Sequence, residues 1–163
     1  MLSSLLSPLV GLTLLASCSF APIRVAVPDV EIPGNSSGGL ICYTPTPVAE
    51  SVSVGFSHAD FRATATYRSS GNNLATVVVY GRTSPPEAPC VFPSEADLPL
   101  SSPLTLTPNV PADVLVGGPD YSGTLAELIT ADSYYFGASL SGGVLASTDE
   151  RIVLSDGEVS VYY

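Results

Sequence analysis

The feature that most constrains the fold is a two-residue alternation of apolar and polar side chains. In residues 61–68, FRATATYR, every second residue from Phe61 to Tyr67 is apolar. This period is typical of a strand with one face in a core and the other in water. After the loop SSGNN at 69–73, the segment LATVVVYGR at 74–82 is apolar on both faces. The pattern predicts a central strand that forms a hairpin with residues 61–68.

A second alternating stretch, RIVLSDGEVSVYY, covers residues 151–163. Its Asp156-Gly157 dipeptide is the sequence that a type I′ turn favours, because both central residues of that turn need a positive φ. The sequence therefore predicts a second hairpin, in which Leu154 faces Val159.

Nine prolines lie between residues 83 and 120. This density excludes central strands and favours long loops and edge segments. Thr124 and Glu127 have the spacing of a capping box, which predicts one short helix. With a further strand at 134–140, the sequence predicts an all-β fold: an antiparallel β-sandwich of about 7–9 short strands with long proline-rich loops and at most one short helix. The apolar residues of that helix share one face: Leu125, Leu128 and Ile129.

The charge balance is strongly acidic. Fifteen carboxylate residues face five arginines, lysine is absent, and the formal net charge is -10 over 163 residues. Such a chain is repelled by phosphate backbones, so we expect no nucleic-acid partner. The lack of lysine also excludes Schiff-base chemistry and a lysine-dependent phosphate loop.

The amino terminus carries a short apolar run over residues 2–17, interrupted by Pro8 and Gly11. It is shorter than the roughly 20 residues of a spanning helix and fits the apolar region of a secretory signal. The sequence Leu15-Ala16-Ser17-Cys18 resembles the lipobox of bacterial lipoproteins. An ordinary cleaved signal and a buried core segment are the alternatives.

The resemblance to bacterial lipoproteins implies that Cys18 carries a diacylglycerol, that signal peptidase II cuts just before it, and that the new amino terminus is acylated. Ser19 is not the aspartate that favours inner-membrane retention in that family, so the resemblance implies an exported protein of the outer membrane or cell surface. It covers only about the first 20 residues and identifies no family for the rest of the chain.

The expected organisation has three parts. Residues 1–17 are a lipoprotein signal peptide, residues 18–39 are the lipidated cysteine with a Pro/Gly/Ser-rich tether, and residues 40–163 are a single β-sandwich domain. The segments IRVAV and VEI within the tether can instead pair as an edge strand.

Cys42 and Cys90 are the remaining cysteines once Cys18 is acylated. Because exported proteins fold in an oxidising compartment, we expect these two to form a disulfide. Two buried free thiols and metal ligation are the alternatives.

The sequence offers few residues that could carry out catalysis. His58 is the only histidine, which excludes a metal site built from two imidazoles of one chain. Ser139 lacks the second glycine of a nucleophile elbow. Acidic residues at 149–150 and 156–158 leave a loop calcium site as an alternative. We predict no catalytic residues, no metal and no cofactor.

The predicted function is therefore non-enzymatic. We expect a lipid-anchored cell-envelope protein with a structural or binding role, whose partners are the membrane and other envelope proteins of a surface or outer-membrane assembly. The alternatives are a carbohydrate- or cell-wall-binding module and a hydrolase. Five aromatic residues are candidates for a contact surface, with core packing as the alternative: Tyr134, Tyr135, Phe136, Tyr162 and Tyr163.

Overall fold

The computed structural model of the protein describes residues 21–36, 38–49, 52, 55–117 and 123–163. Two antiparallel sheets pack face to face with one short helix at their side, so the predicted all-β sandwich is confirmed. The elements, in chain order, are β1 (Ile23–Val27), β2 (Val30–Ile32), β3 (Ile41–Tyr43), β4 (His58–Arg68), β5 (Ala75–Arg82), β6 (Cys90–Val91), β7 (Leu98–Pro99), β8 (Leu104–Leu106), β9 (Ala112–Gly117), α1 (Thr124–Ile129), β10 (Tyr135–Gly142) and β11 (Arg151–Tyr162).

The first sheet has the strand order β1-β11-β4-β9, and β2 pairs with β11 beyond the end of β1. The alternation predicted for β4 is confirmed, since Phe61, Ala63, Ala65 and Tyr67 are all buried in the core between the sheets. Hydrophobic burial on this one face fixes the orientation of the strand.

The second sheet has the order β6-β3-β10-β5-β7, and β8 also pairs with β5. The central position predicted for β5 is confirmed, but its hairpin with β4 is wrong, because the two strands belong to different sheets. Residues 69–74 between them are long enough to cross the ~10 Å that separates stacked sheets. The alternation identifies the buried face of a strand and does not identify its neighbour.

The hairpin predicted around Asp156-Gly157 is also wrong. Residues 151–162 form one long strand, β11, which carries a bulge between Ser155 and Glu158 where it pairs with β4. Asp156 has a φ of 55°, and a Cβ on Gly157 would lie 2.9 Å from the Cβ of Val27. Asp156 thus supplies the positive φ of the bulge, and Gly157 allows β1 to approach β11 closely. A turn cannot form here, since β11 continues between β1 and β4.

The boundary expected at residue 40 is too late. Strands β1 and β2 belong to the first sheet, and Val25, Val27, Val30 and Ile32 are buried in the core. From Ile23 onward the expected tether is thus part of the sandwich, and the edge-strand alternative is the one observed. Cys18 lies outside the described residues.

The proline-rich region behaves as predicted, since β6, β7, β8 and β9 all lie at sheet edges. Its division into strands of two to six residues brings the number of described strands to eleven, more than the 7–9 expected. The predicted helix is confirmed, with its three apolar residues fully buried, but its N-cap is Gly123 without a side-chain bond, so the capping box at Thr124 does not form.

Candidate functional site

The start of β1, the end of β11 and the start of β4 lie at the same end of the sandwich. Ile23 pairs with Val161, and Val161 pairs in turn with Ala59. The short stretch that links this end to Cys18 spans five residue steps, about 18 Å when fully extended. We call this region the N-terminal end. It is made of Ala21–Ile23, Gly55–His58 and Tyr162–Tyr163.

Two stacked rings form the centre of the N-terminal end. The His58 imidazole lies parallel to the Tyr162 ring, with 4.2 Å between centroids and an angle of 8° between planes. The Ser57 hydroxyl donates to the Tyr162 carbonyl at 2.9 Å, and the Tyr162 hydroxyl donates to Asp60 Oδ2 at 3.4 Å. These bonds at both ends of the tyrosine hold the pair of rings in one orientation.

The same contacts show whether Ser57, His58 and Asp60 are arranged as a serine triad. Ser57 Oγ lies 3.1 Å from His58 Nδ1, but Asp60 contacts Tyr162 and an Arg62 guanidinium at 3.4 Å. A serine triad needs the carboxylate on the second nitrogen of the histidine. The described geometry is therefore that of a fixed surface element at the first residue of β4.

None of the residues of the N-terminal end is an aspartate, glutamate, lysine or arginine, although the chain as a whole carries a formal net charge of -10. Charged residues lie close by, because Asp60 contacts Tyr162, and α1, which carries the exposed Glu127, packs against Gly117 at the end of β9. Ile23 and Tyr163 are each 46% exposed and place apolar surface in contact with solvent. Aromatic and apolar groups thus occupy the edge of the first sheet that is nearest in sequence to Cys18.

Three of the five predicted contact aromatics are internal. Tyr134 and Phe136 are buried in the main core, where Phe136 stacks on Phe61 with 4.3 Å between ring centroids. Tyr135 points to the other side of the second sheet and packs against Tyr43. Only Tyr162 and Tyr163 remain as candidates for surface contact, and both belong to the N-terminal end.

The predicted disulfide between Cys42 and Cys90 is present. The two cysteines lie directly opposite each other on β3 and β6, with 4.0 Å between their Cα atoms. The bond fastens the edge strand β6, within the proline-rich region, to β3 of the second sheet.

Beside the disulfide lies a buried group that the sequence analysis missed, which we call the Asp97 cluster. Asp97 Oδ1 accepts a hydrogen bond from the Tyr43 hydroxyl at 2.5 Å and lies 3.2 Å from Arg82 Nη1. Asp97 Oδ2 accepts from the backbone and hydroxyl of Ser94 at 2.7 and 2.8 Å. A Cβ on Gly137 would lie 2.6 Å from the Tyr43 ring, so this glycine makes room for the tyrosine.

Hydrogen bonding sets the protonation states of the Asp97 cluster. Burial alone would raise the pKa of Asp97, but the bonds from Tyr43 and Ser94 and the nearby Arg82 charge together lower it. Burial, with the bond to Asp97, raises the pKa of Tyr43. The cluster therefore holds an ionised carboxylate and a neutral phenol.

Arg82 is the cation of this cluster. Its side chain is 11% exposed, and its guanidinium carbon lies 5.5 Å from the centre of the Tyr43 ring. Nη2 donates to Ser84 at 2.9 Å, while Nε has no hydrogen-bond partner among the described residues. Clefts of about 360 and 400 Å³ lie on either side of the covering segment 85–89. The positive charge of Arg82 is therefore balanced by the carboxylate of Asp97 inside the protein.

A second buried carboxylate, Glu150, lies at the opposite end of the sandwich. Its Oε1 accepts from the hydroxyls of Ser69 at 2.5 Å and Tyr67 at 3.2 Å, and its Oε2 accepts from the amides of Ala146 at 2.6 Å and Ser147 at 3.2 Å. The bond from Ser69 is the first cause that lowers the pKa of Glu150, and the other three add to it. We call this group the Glu150 cluster.

The acidic residues considered for calcium do not meet. Glu150 is occupied by hydroxyl and amide donors, whereas Asp156 lies at the bulge of β11. Within the described ranges, no group of three or more potential ligands is close enough to hold a metal ion. The sequence carried no signal that Asp97 and Glu150 are buried, because a carboxylate in a serine-containing loop is ordinarily exposed.

No known protein family matches this chain, and no curated protein is similar to it in sequence. Of the residues described, none belongs to a helix with the length and hydrophobicity to cross a bilayer.

Proposed function

We propose that this protein is a lipid-anchored component of the cell envelope, with Cys18 as the lipidated residue and the sandwich as a structural or binding body. In this proposal the body has no catalytic role, and its partners are the membrane and other proteins of a surface or outer-membrane assembly.

The observation that carries the proposal is the position of the lipobox-like cysteine relative to the sheet. Cys18 precedes by only five residues a strand that is paired along its whole length with β11. A lipid on that cysteine would thus be joined to a rigid body by a short connection. Two or three acyl chains would hold such a body durably at a bilayer.

Two further observations support the proposal. The Cys42–Cys90 disulfide is of the kind that persists in oxidising, extracytoplasmic compartments. Asp97 and Glu150 both have a lowered pKa and are engaged in internal bonds. A general acid needs the opposite, a carboxyl whose pKa is raised toward neutrality.

The test of the anchor uses the full chain expressed in a bacterial host. We expect the wild-type protein to partition into the detergent phase of Triton X-114 and its amino-terminal peptide to carry a diacylglycerol on Cys18 by mass spectrometry. Cys18→Ser is expected to partition into the aqueous phase, while the neighbouring control Ser19→Ala behaves as wild type. An unmodified peptide spanning Ser17 and Cys18 as the dominant wild-type species contradicts the proposal.

The test of the assembly role is a pull-down of the wild-type protein from detergent-solubilised envelopes. We expect the same envelope proteins to be recovered in repeated experiments, and to be lost when Cys18→Ser keeps the body away from the membrane. Recovery of a soluble polysaccharide fragment without protein partners would instead favour the carbohydrate-binding alternative.

A further inference from the structure

We propose that the N-terminal end of the sandwich is a lipid-contacting surface, and that the body stands on the bilayer with this end against neutral and zwitterionic headgroups. The inference rests on the proposed function, because it assumes the anchor at Cys18. It adds the orientation of the body and the residues that meet the membrane.

The first step is the reach of the chain. Five residue steps separate Cys18 from Ile23, which allows at most about 18 Å between the lipidated residue and the sheet. Strands β1 and β2 then run from Ile23 to Ile32 along β11, a length of about 30 Å at the usual rise of a strand. The start of β1 is therefore the part of the body that the anchor holds nearest the membrane.

The second step is the charge. A body with a formal net charge of -10 is repelled from a bilayer surface that carries anionic lipids. The least unfavourable surface to bring close is one with few charged side chains. Residues 21–23, 55–58 and 162–163 include no aspartate, glutamate, lysine or arginine, whereas the opposite end exposes Arg68 and Asp149.

The third step is the chemistry of the contact. Tyrosine is enriched at the headgroup level of membranes, because its ring is apolar and its hydroxyl polar. The His58–Tyr162 ring pair lies on the outer face of the first sheet and is fixed by hydrogen bonds, and Ile23 and Tyr163 at the same end of the sheet are each 46% exposed. A preformed aromatic surface loses little conformational entropy when it settles into the interface.

The competing orientation lays the outer face of β1 and β2 along the bilayer. That face exposes Arg24, Ala26 and Glu31, with Asp29 between the two strands. Arg24 pairs with Glu158 at 3.6 Å, and the pair is largely solvated. Lying flat would bring these charges into the headgroup layer, whereas residues 21–23, 55–58 and 162–163 contribute no aspartate, glutamate, lysine or arginine to the contact.

The test exploits the absence of tryptophan from the natural chain. Lipidated full-length protein is reconstituted into phosphatidylcholine vesicles, with and without lipids brominated near the headgroup. Three single-tryptophan variants report the three surfaces: Tyr163→Trp at the N-terminal end, Val144→Trp at an exposed site of the opposite end, and Ala26→Trp on the outer face of β1.

We expect the emission of Tyr163→Trp to shift to shorter wavelength on reconstitution and to be quenched several-fold more by brominated lipid than that of Val144→Trp or Ala26→Trp. Quenching of Ala26→Trp equal to or above that of Tyr163→Trp overturns the end-on orientation, and so does equal, weak quenching of all three variants on vesicles that carry the protein. If the wild-type chain does not float with the vesicles, the anchor itself fails and the orientation fails with it. Flotation without selective quenching refutes only the orientation.

Discussion

The Asp97 and Glu150 clusters bury the same functional group in two different ways. Asp97 is held by a hydroxyl, a serine loop and the guanidinium of Arg82, so its negative charge faces a buried positive one. Glu150 is held by two hydroxyls and two backbone amides, and the donors among the described residues are all neutral. Both carboxylates have a lowered pKa, but only one of them is required to balance a cation.

The difference predicts how each site fails. Removal of one member of a buried ion pair leaves an uncompensated charge, which costs more than the pair contributes when intact. Removal of a carboxylate bound by neutral donors leaves unsatisfied hydrogen-bond donors and no stranded charge. The Asp97 cluster is therefore the more sensitive to substitution, and four predictions test that ranking.

The largest effect is expected from removal of the disulfide next to the Asp97 cluster. The double variant Cys42→Ala/Cys90→Ala should lose about 4 kcal/mol of unfolding free energy, because the loop of 48-residue separation is no longer closed in the unfolded chain. Urea titration measures the loss. Hydrogen exchange should show that the Ser94 amide, which donates to Asp97, loses more protection than the Ala146 amide, which donates to Glu150.

Reduction of the wild-type protein is the matched control and should reproduce both results. Equal loss of protection at Ser94 and Ala146 would mean that the disulfide acts on the whole fold and does not hold the Asp97 cluster in particular.

The second prediction removes the anion of the cluster. Asp97→Asn should lower the free energy of unfolding by about 3 kcal/mol, because Arg82 is then buried without a counter-charge. Asp132→Asn, at an exposed position, is the control and should change stability little. In an Arg82→Met background the same Asp97→Asn change should cost clearly less, since the stranded cation is gone. Equal costs in the two backgrounds would show that the ion pair does not set the sensitivity of this site.

Sequence patterning predicted the fold where hydrophobic burial alone decides it. The alternation places Phe61 and Tyr67 on the core side of β4, because a strand with one buried face has only one possible orientation. Patterning failed at Asp156-Gly157, since this dipeptide suits a turn as well as a bulge. The choice depends on β1 and β4, which flank β11 and are distant in sequence. An alternation pattern does not show which strands pair, because the partners are distant in sequence.

Sequence patterning had the same limit for the disulfide and for the Asp97 cluster. Cys42 and Cys90 could be paired from the sequence because, once Cys18 is set aside as the expected lipidation site, only these two cysteines remain to pair with each other. Asp97 could not be identified, because the residues that bury it, Tyr43 and Arg82, lie on β3 and β5 of a sheet that assembles from distant segments. The order of the sheet must be known before this cluster can be predicted.

The third prediction concerns Glu150 and is a smaller effect. Glu150→Gln keeps the shape of the side chain and one acceptor oxygen, but replaces another acceptor with an amide that faces the N–H of Ala146 or the hydroxyl of Ser69. We expect destabilisation that exceeds the near-zero change of Glu31→Gln, an exposed control on β2, and is smaller than that of Asp97→Asn. Thermal unfolding of the three variants gives the ranking. If Glu150→Gln is the most destabilised, a buried cation is not the factor that makes a carboxylate indispensable here.

The smallest effect is in the pH dependence. Asp97 and Glu150 have folded-state pKa values below those of the unfolded chain, so the stability they contribute is fully present above the ordinary carboxyl pKa range and is lost as the pH falls through that range toward the folded-state values. The stability gap between wild type and Glu150→Gln, measured by urea titration, should therefore stay constant from neutrality down to the ordinary carboxyl pKa range and narrow as the pH falls through and below that range. The gap for Asp97→Asn should narrow in the same direction, because a protonated Asp97 also leaves Arg82 without an anion. Glu31→Gln should show no such change, and a gap that widens in acid for either cluster would mean that its carboxyl group is bound in the neutral form.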